Sequence, residues 1–273
     1  MPGFDDDLRL AHVLADAVER TSLELFGAPQ EEVEVDPEGA LTTPAARRLE
    51  ELLRHQLHRT RPRDRVEGRT LDPTGHGARR WVLDAIDGSA NYVRGVPVWA
   101  TLISLVVEDE PVLGLVAAPL LARRWWAGAG SGAWTGRTLS RARRIEVSGT
   151  EVLAHASLST DDVAGWLHGD HGSGFATLTD RVWRTRAYGE FWSHALVAEG
   201  AVDLGLTAWA DGYQLATLAP LLREAGGAVT DLAGHPAASP LSSAAQAHPV
   251  VASNGRMHEE VLMMLGQGGG AEG

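Results

Sequence analysis

The sequence predicts an α/β protein, and three observations carry that expectation. Strand-like apolar segments crowd the stretch between Trp81 and Ala127. Past about Ser148, strands alternate with helical patterns. The chain has 273 residues and is 44% hydrophobic, which gives enough interior for one large domain or two fused halves. The change of pattern divides it into an N-terminal α+β part over 1–147 and a C-terminal α/β part over 148–265. A glycine-rich tail over 266–273 is expected to be disordered.

Taken in order, Asp5, Asp6 and Asp7 precede apolar positions at Leu10, Val13, Leu14, Ala17, Val18 and Leu25. That spacing predicts an amphipathic helix stopping near Gly27 and Pro29. Thr43 followed by Pro44 is a helix start, and Leu49, Leu52, Leu53 and Leu57 supply the apolar stripe. Arg63 to Arg79, polar and broken by Gly68, Pro73, Gly75 and Gly77, reads as a long loop. Strands follow at Trp81–Leu83, Ala100–Val107, Val112–Ala117 and Arg124–Ala127, with a hairpin turn at Asp109–Glu110–Pro111. Gly128, Gly130, Gly132 and Gly136 mark a further turn region. The second half offers helices over Glu190–Glu199 and Tyr213–Ala225, a strand at Ala228–Asp231, and a surface loop from Ala237 to His248.

Composition excludes several function classes. A formal charge of −12 argues against nucleic-acid binding, which needs a basic face. The best candidate for a membrane span, Val98 to Val107, is cut off by Glu108, Asp109 and Glu110, far short of the length required. An acidic Asp5–Asp7 stands where a secretory signal would be basic, so the expected location is cytoplasmic. With no cysteine, thiol nucleophiles, disulfides and cysteine metal sites are ruled out; with no lysine, so are Schiff bases and a Walker-A lysine. What remains is carboxylate, histidine, hydroxyl or metal chemistry.

The most informative stretch is Trp81-Val-Leu-Asp84-Ala-Ile86-Asp87-Gly88-Ser89-Ala90-Asn91-Tyr. A buried strand is expected to end at Asp84, with a second acid three residues on at a tight glycine turn. Two carboxylates at a strand's C-terminal end can share a hard cation such as Mg²⁺, and the amides after Gly88 can face a phosphate. The same pattern also makes an ordinary strand-end turn in which both acids cap backbone donors. Other clusters read as structure. The pairs His55/His58 and His168/His171 have the character of solvent-facing side chains. Gly128 to Ala133 matches a dinucleotide fingerprint only superficially, because no long helix follows it.

The strand-end segment resembles the DPIDGT-N-F motif of the inositol monophosphatase superfamily. Tyr213-Gln214-Leu-Ala216 and, further on, Glu224-Ala-Gly226-Gly227 resemble its WD-x-AA…EAGG motif. Arg94-Gly-Val-Pro97, Trp125-Trp126, Ala133-Trp134-Thr-Gly136 and Arg186-Ala-Tyr188-Gly-Glu190-Phe-Trp192 extend the likeness toward bacterial, particularly actinobacterial, histidinol-phosphatases. The resemblance runs from roughly residue 8 to 265. It implies an α/β/α/β/α sandwich, a homodimer, and hydrolysis of a small phosphate ester by Mg²⁺ held between a glutamate and three aspartates.

Carried across by position, Asp84, Asp87 and the Ile86 carbonyl remain as metal contacts, and Ser89 as the catalytic hydroxyl. Three acidic positions of the pattern fall on Arg69, Gln214 and Ala46. Gly88, Ser89, Ala90, Arg186 and Glu190 match the phosphate- and substrate-binding stretches. Arginine cannot ligate a metal, and is expected instead to pair with Asp84 or Asp87. These departures imply weak or absent Mg²⁺ and a pseudophosphatase that binds a phosphate ester or a partner. The alternative is an active Mg²⁺-dependent phosphatase of a small monoester such as histidinol phosphate or an inositol phosphate.

Overall fold

The computed structural model describes residues 3–27, 33–35, 41–237 and 247–266. Helix α1 (Asp5–Leu25) buries Leu10, Leu14 and Val18 along one stripe, with its three aspartates in the first turn where the helix dipole favours anions. Strands β1 (Glu34–Val35) and β2 (Leu41–Thr42) form a short antiparallel pair. Helix α2 (Pro44–Thr60) begins as the Thr43–Pro44 pair predicts, the Thr43 hydroxyl accepting from the Ala46 amide.

The expected loop over 63–79 is interrupted by β3 (Arg65–Gly68), which pairs in parallel with β4 (Arg79–Asp87). Sequence pattern hid this strand because its alternation is carried by charges. Glu67 is buried between Arg65 and Arg80, which neutralise it from either side. Strand β4 runs on to Asp87 rather than stopping at Asp84, and helix α3 (Ser89–Val93) follows at once. The hairpin between β5 (Ala100–Val107) and β6 (Glu110–Ala118) turns on Glu108 and Asp109, not on Asp109–Glu110–Pro111. Both residues have positive φ, 51° and 65°, as a two-residue turn matched to the strand twist requires. Pro111 lies inside β6, beside the register shift that spares its missing donor.

Strands β7 (Arg123–Gly128), β8 (Ala133–Gly136) and β9 (Arg143–Ile145) complete a seven-stranded sheet in the order β3-β4-β5-β6-β7-β8-β9. Beyond it come β10 (Ser157–Thr160), α4 (Val163–His168), α5 (Gly172–Arg181), β11 (Arg184–Arg186) and α6 (Glu190–Ala198). The chain continues through β12 (Leu204–Ala210), α7 (Gly212–Glu224), β13 (Ala228–Asp231), β14 (His248–Ser253) and α8 (His258–Gly266). The second sheet has the order β11-β10-β12-β14-β13. Gly266 closes α8 rather than opening a disordered tail, and His248 begins β14; the rest of the tail and residues 238–246 of the expected loop lie outside the described residues.

Three apolar clusters stack these elements into five layers. α1 and α2 pack on the outer face of the large sheet through Leu14, Leu49, Leu53, Trp81 and Leu105. α6 and α7 fill the space between the sheets, where Leu102, Val116, Trp125, Phe191 and Leu218 meet Ala252. α4, α5 and α8 cover the far face of the smaller sheet around Leu158, Trp166, Phe175, Leu204 and Val261. The middle layer is tight. A Cβ at Gly114 of β6 would sit 2.1 Å from the Thr217 carbonyl of α7, so only glycine lets that helix approach so closely. The layered α/β/α/β/α architecture is the one the resemblance to the inositol monophosphatase superfamily implies. Among the described residues no helix is long and apolar enough to cross a membrane.

Candidate active site

Strand β4 delivers the two key carboxylates through a bulge. Asp84 stands opposite Leu102 and Asp87 opposite Ala100, so two β4 residues face one on β5, and the register break turns both acids toward the sheet's end. The turn that follows depends on Gly88, which has φ +82°; a Cβ there would lie 3.0 Å from the Val98 carbonyl oxygen. The Ser89 hydroxyl donates to the Ile86 carbonyl at 2.9 Å, and the Ile86 amide donates to Asp84 Oδ1 at 3.2 Å. A space of about 200 Å³ opens beside this turn.

Arg69 enters that space from the end of β3. Its Nε donates to Asp84 Oδ2 at 3.0 Å and its Nη2 to Asp211 Oδ2 at 2.5 Å. The guanidinium also lies over the Tyr213 ring, 5.0 Å from its centroid, and the Tyr213 hydroxyl donates to the Gly68 carbonyl at 3.3 Å. Asp84 is 3% exposed and Arg69 18%, so this bridge is largely withdrawn from water. Burial lowers the arginine's proton affinity, but Asp84 and Asp211 outweigh it and raise the pKa overall, so the side chain is cationic throughout the working range.

The loop carrying Arg69 is itself pinned. Glu50 on α2, fully buried, accepts from the Thr70 amide at 2.8 Å, from the Thr70 hydroxyl at 2.6 Å and from Arg54 Nε at 2.8 Å. Arg54 in turn donates to the carbonyls of Leu71 and Asp72 at 2.8 and 2.9 Å.

On the opposite side, Asp211 caps α7, its Oδ1 accepting from the Tyr213 and Gln214 amides at 2.9 and 3.1 Å. The Gln214 amide group donates to Asp87 Oδ1 at 2.5 Å, while Asp87 Oδ2 accepts from the Phe191 amide at 2.9 Å. Glu190 opens α6 with φ +51°, a costly conformation for a residue with a Cβ, next to Phe191, whose amide is held by Asp87 Oδ2. Burial, then Asp161 and Asp84, push its carboxyl up to about 7. Burial also holds Asp84 above the usual carboxylate range despite Arg69, and raises Asp87 further, with the Glu190 charge adding to it.

The fold therefore gathers Arg69, Asp84, Ile86, Asp87, Gly88, Ser89, Ala90, Glu190 and Gln214 around one space. Two of the proposed site positions stay outside it. Ala46 is buried in the first turn of α2, engaged in its cap. Arg186 is exposed on β11, the edge strand of the smaller sheet, and its Nη1 donates to the neighbouring Thr185 carbonyl. Sequence reasoning missed Asp211 and Glu50. The Asp-Gly pair ahead of an apolar helical run is a cap signal that points to the first. The second is an acid within the Leu49–Leu53 stripe, which marks burial but not its partner.

A family model for the inositol monophosphatase family matches residues 8–267. The chain belongs to that family. It is 48% identical over 271 residues to a histidinol-phosphatase of Streptomyces coelicolor, covering 98% of this chain and 99% of the relative. A histidinol-phosphatase of Mycobacterium tuberculosis is 43% identical over 264 residues, covering 96% and 99%. Among solved structures, an IMPase of Thermotoga maritima superposes with a TM-score of 0.83 at 25% identity, covering 96% of this chain and 98% of that one. In this member of the inositol monophosphatase family, three of the pocket's four acids, Asp84, Asp87 and Asp211, already accept hydrogen bonds from neighbouring groups. Arg69 holds Asp84 Oδ2, and Gln214 and Phe191 hold the two oxygens of Asp87. No three Asp, Glu, His or Cys side chains among the described residues are placed to hold one ion.

Proposed function

We propose that this pocket binds a small phosphate monoester, of which histidinol phosphate is the first to test, with Arg69 in the place of a metal as the fixed cation. Mg²⁺-dependent hydrolysis is weak or lost on this reading. The observation that carries it is the Arg69 bridge between Asp84 and Asp211. A guanidinium offers five donors in a planar fork, of which this bridge uses the Nε and Nη2 groups, and a phosphate oxygen is a matching acceptor. The turn amides from Gly88 to Ala90 border the same space and supply neutral donors. A permanent positive charge also raises the electrostatic cost of placing a divalent cation against the same carboxylates.

A second reading is an active phosphatase of the same ester class, and it has its own support. Relatives at 48% and 43% identity over nearly their whole length bear the name histidinol-phosphatase. Asp211 and Glu190 also bring two further carboxylates to the pocket, so its acidic character is not exhausted. The comparisons weigh toward hydrolysis and the Arg69 bridge toward its attenuation. One assay separates the two. Phosphate release from histidinol phosphate and inositol monophosphate is followed at high protein concentration, with millimolar Mg²⁺ and with chelator, alongside calorimetric binding of the same esters. Binding without metal, together with negligible Mg²⁺-dependent release, is the expected result. Robust Mg²⁺-dependent turnover establishes the second reading instead. The homodimer implied by the resemblance is carried forward as a proposal, to be measured by light scattering.

A further inference from the structure

Charge is unevenly spread along this chain. Residues 111–145 hold six arginines and no aspartate or glutamate, whereas the whole chain has 36 acids against 24 bases. Four of the six, Arg137, Arg141, Arg143 and Arg144, fall within eight residues, and all four are exposed. They follow the outer rim of the large sheet. A 3₁₀ turn (Leu139–Arg141) leads from β8 into β9, the last strand of that sheet, which has β8 as its only neighbour.

Little neutralises this rim from within. Arg143 lies 3.7 Å from Glu199 and Arg144 3.7 Å from Glu146, beyond hydrogen-bond length, and their side chains remain 60% and 62% exposed. Glu199 is already taken by Arg123 at 2.7 Å and by the Trp125 indole N–H at 3.0 Å. Arg137 and Arg141 have no carboxylate partner among the described residues. Successive strand residues point to opposite faces, so Arg143 and Arg144 put one cation on each side of the open edge. Leu139, 42% exposed, adds an apolar spot to the same rim.

Charged edges keep like edges apart, and two copies of this arginine edge repel one another. The same row attracts an extended chain of acids, whose backbone can continue the ladder beyond β9 while its alternating carboxylates meet arginines on both faces. A long polyanion fits less well, because it would run off the rim onto a surface where acids outnumber bases. We infer that the β9 edge is a docking site for an extended acidic segment of a partner protein, taken up by strand addition and held by Arg137, Arg141, Arg143 and Arg144. It lies at the far end of the strand order from β3, so it stands independently of the Arg69 pocket.

Fluorescence anisotropy on the full chain tests it. The probes are a labelled Glu-Glu-Val-Glu-Val-Glu peptide, the same peptide with glutamine for every glutamate, and the acidic peptide N-methylated at alternate residues in either phase. The acidic peptide is expected to bind about tenfold tighter than the glutamine one at about 50 mM salt, and to lose that advantage at about 500 mM, where the rim is screened. At least one N-methylated phase loses about fivefold, because it blocks the ladder. Arg141→Glu/Arg144→Glu, with circular dichroism unchanged, removes the preference for acid. Arg137→Ala, which breaks no ion pair, weakens binding by about twofold to fivefold. Equal affinities of the acidic and glutamine peptides, a preference that survives the double variant, or indifference to both N-methylated peptides overturns the inference. Tighter binding of a twenty-residue oligothymidylate, weakened by the same variants, also overturns it, in favour of a nucleic-acid partner.

Discussion

If Arg69 is the pocket's built-in cation, exchanging it for an acid converts an anion receptor into a divalent-cation site. In the Arg69→Glu/Gln214→Asp double variant the local formal charge becomes more negative by three, with two new carboxylates beside Asp84 and Asp87. Without metal this variant loses the bridge to Asp84 and Asp211. Removing one partner of a buried pair costs about 3–5 kcal/mol, and the lower end applies because Asp211 is partly exposed. For a chain of this size each kcal/mol moves the melting temperature by roughly 2–4 °C, so chelated double variant melts roughly 6–12 °C below wild type. Mg²⁺ at about a hundred times its dissociation constant returns about 2.7 kcal/mol by mass action, or roughly 5–10 °C. Wild type is expected to respond to Mg²⁺ by less than about 1 °C, having no stabilising site for it. Differential scanning calorimetry with a Mg²⁺ titration reads both curves. A wild-type rise of several degrees, matched or exceeded by nothing in the double variant, refutes the claim that the arginine holds the metal's place.

Two further outcomes follow from buried charges. Glu190 keeps a proton in the folded state up to about pH 7 that the unfolded chain gives up from its ordinary value of 4.5. The folded state therefore binds more protons across that window, and stability falls as pH rises through it. Glu190→Gln removes this cost of about 3 kcal/mol, so denaturant unfolding finds the variant more stable than wild type at pH 8 and equal to it at pH 4; equal stabilities at pH 8 contradict the shift. Glu50→Ala strips Arg54 and Thr70 of their buried acceptor, at a cost of about 3–5 kcal/mol. Adding Arg54→Ala recovers part of that loss, because the stranded charge is gone; strictly additive costs in the thermal melts show that the two do not act as a pair.

Much of the fold was legible because apolar periodicity reports burial directly. The stripe on α2, the strands β5 to β7 and the helices α6 and α7 all carry more apolar residues than a solvated segment would. β3 was not legible, since its buried Glu67 is paired with Arg65 of its own strand and Arg80 of β4, and no local pattern announces a strand partner fifteen residues away. The candidate site divides in the same manner. Asp84, Asp87 and Gly88 sit in one contiguous motif whose turn requires them. Asp211 and Glu50 come from separate elements, and nothing in their own neighbourhoods says which space they border.

The sequence by itself determined which charges this protein owns. It has arginine but no lysine, carboxylates but no thiol, and an arginine and a glutamine where the resemblance asks for acids. Only the tertiary structure decided where those charges meet. Arg69 and Asp211 are 142 residues apart, yet lie 2.5 Å from one another. Such a contact is fixed by the packing of β3, β4 and α7 around a common interior, which short-range patterning does not encode. The bulge that turns Asp84 and Asp87 toward the sheet's end is likewise a property of two paired strands rather than of either one.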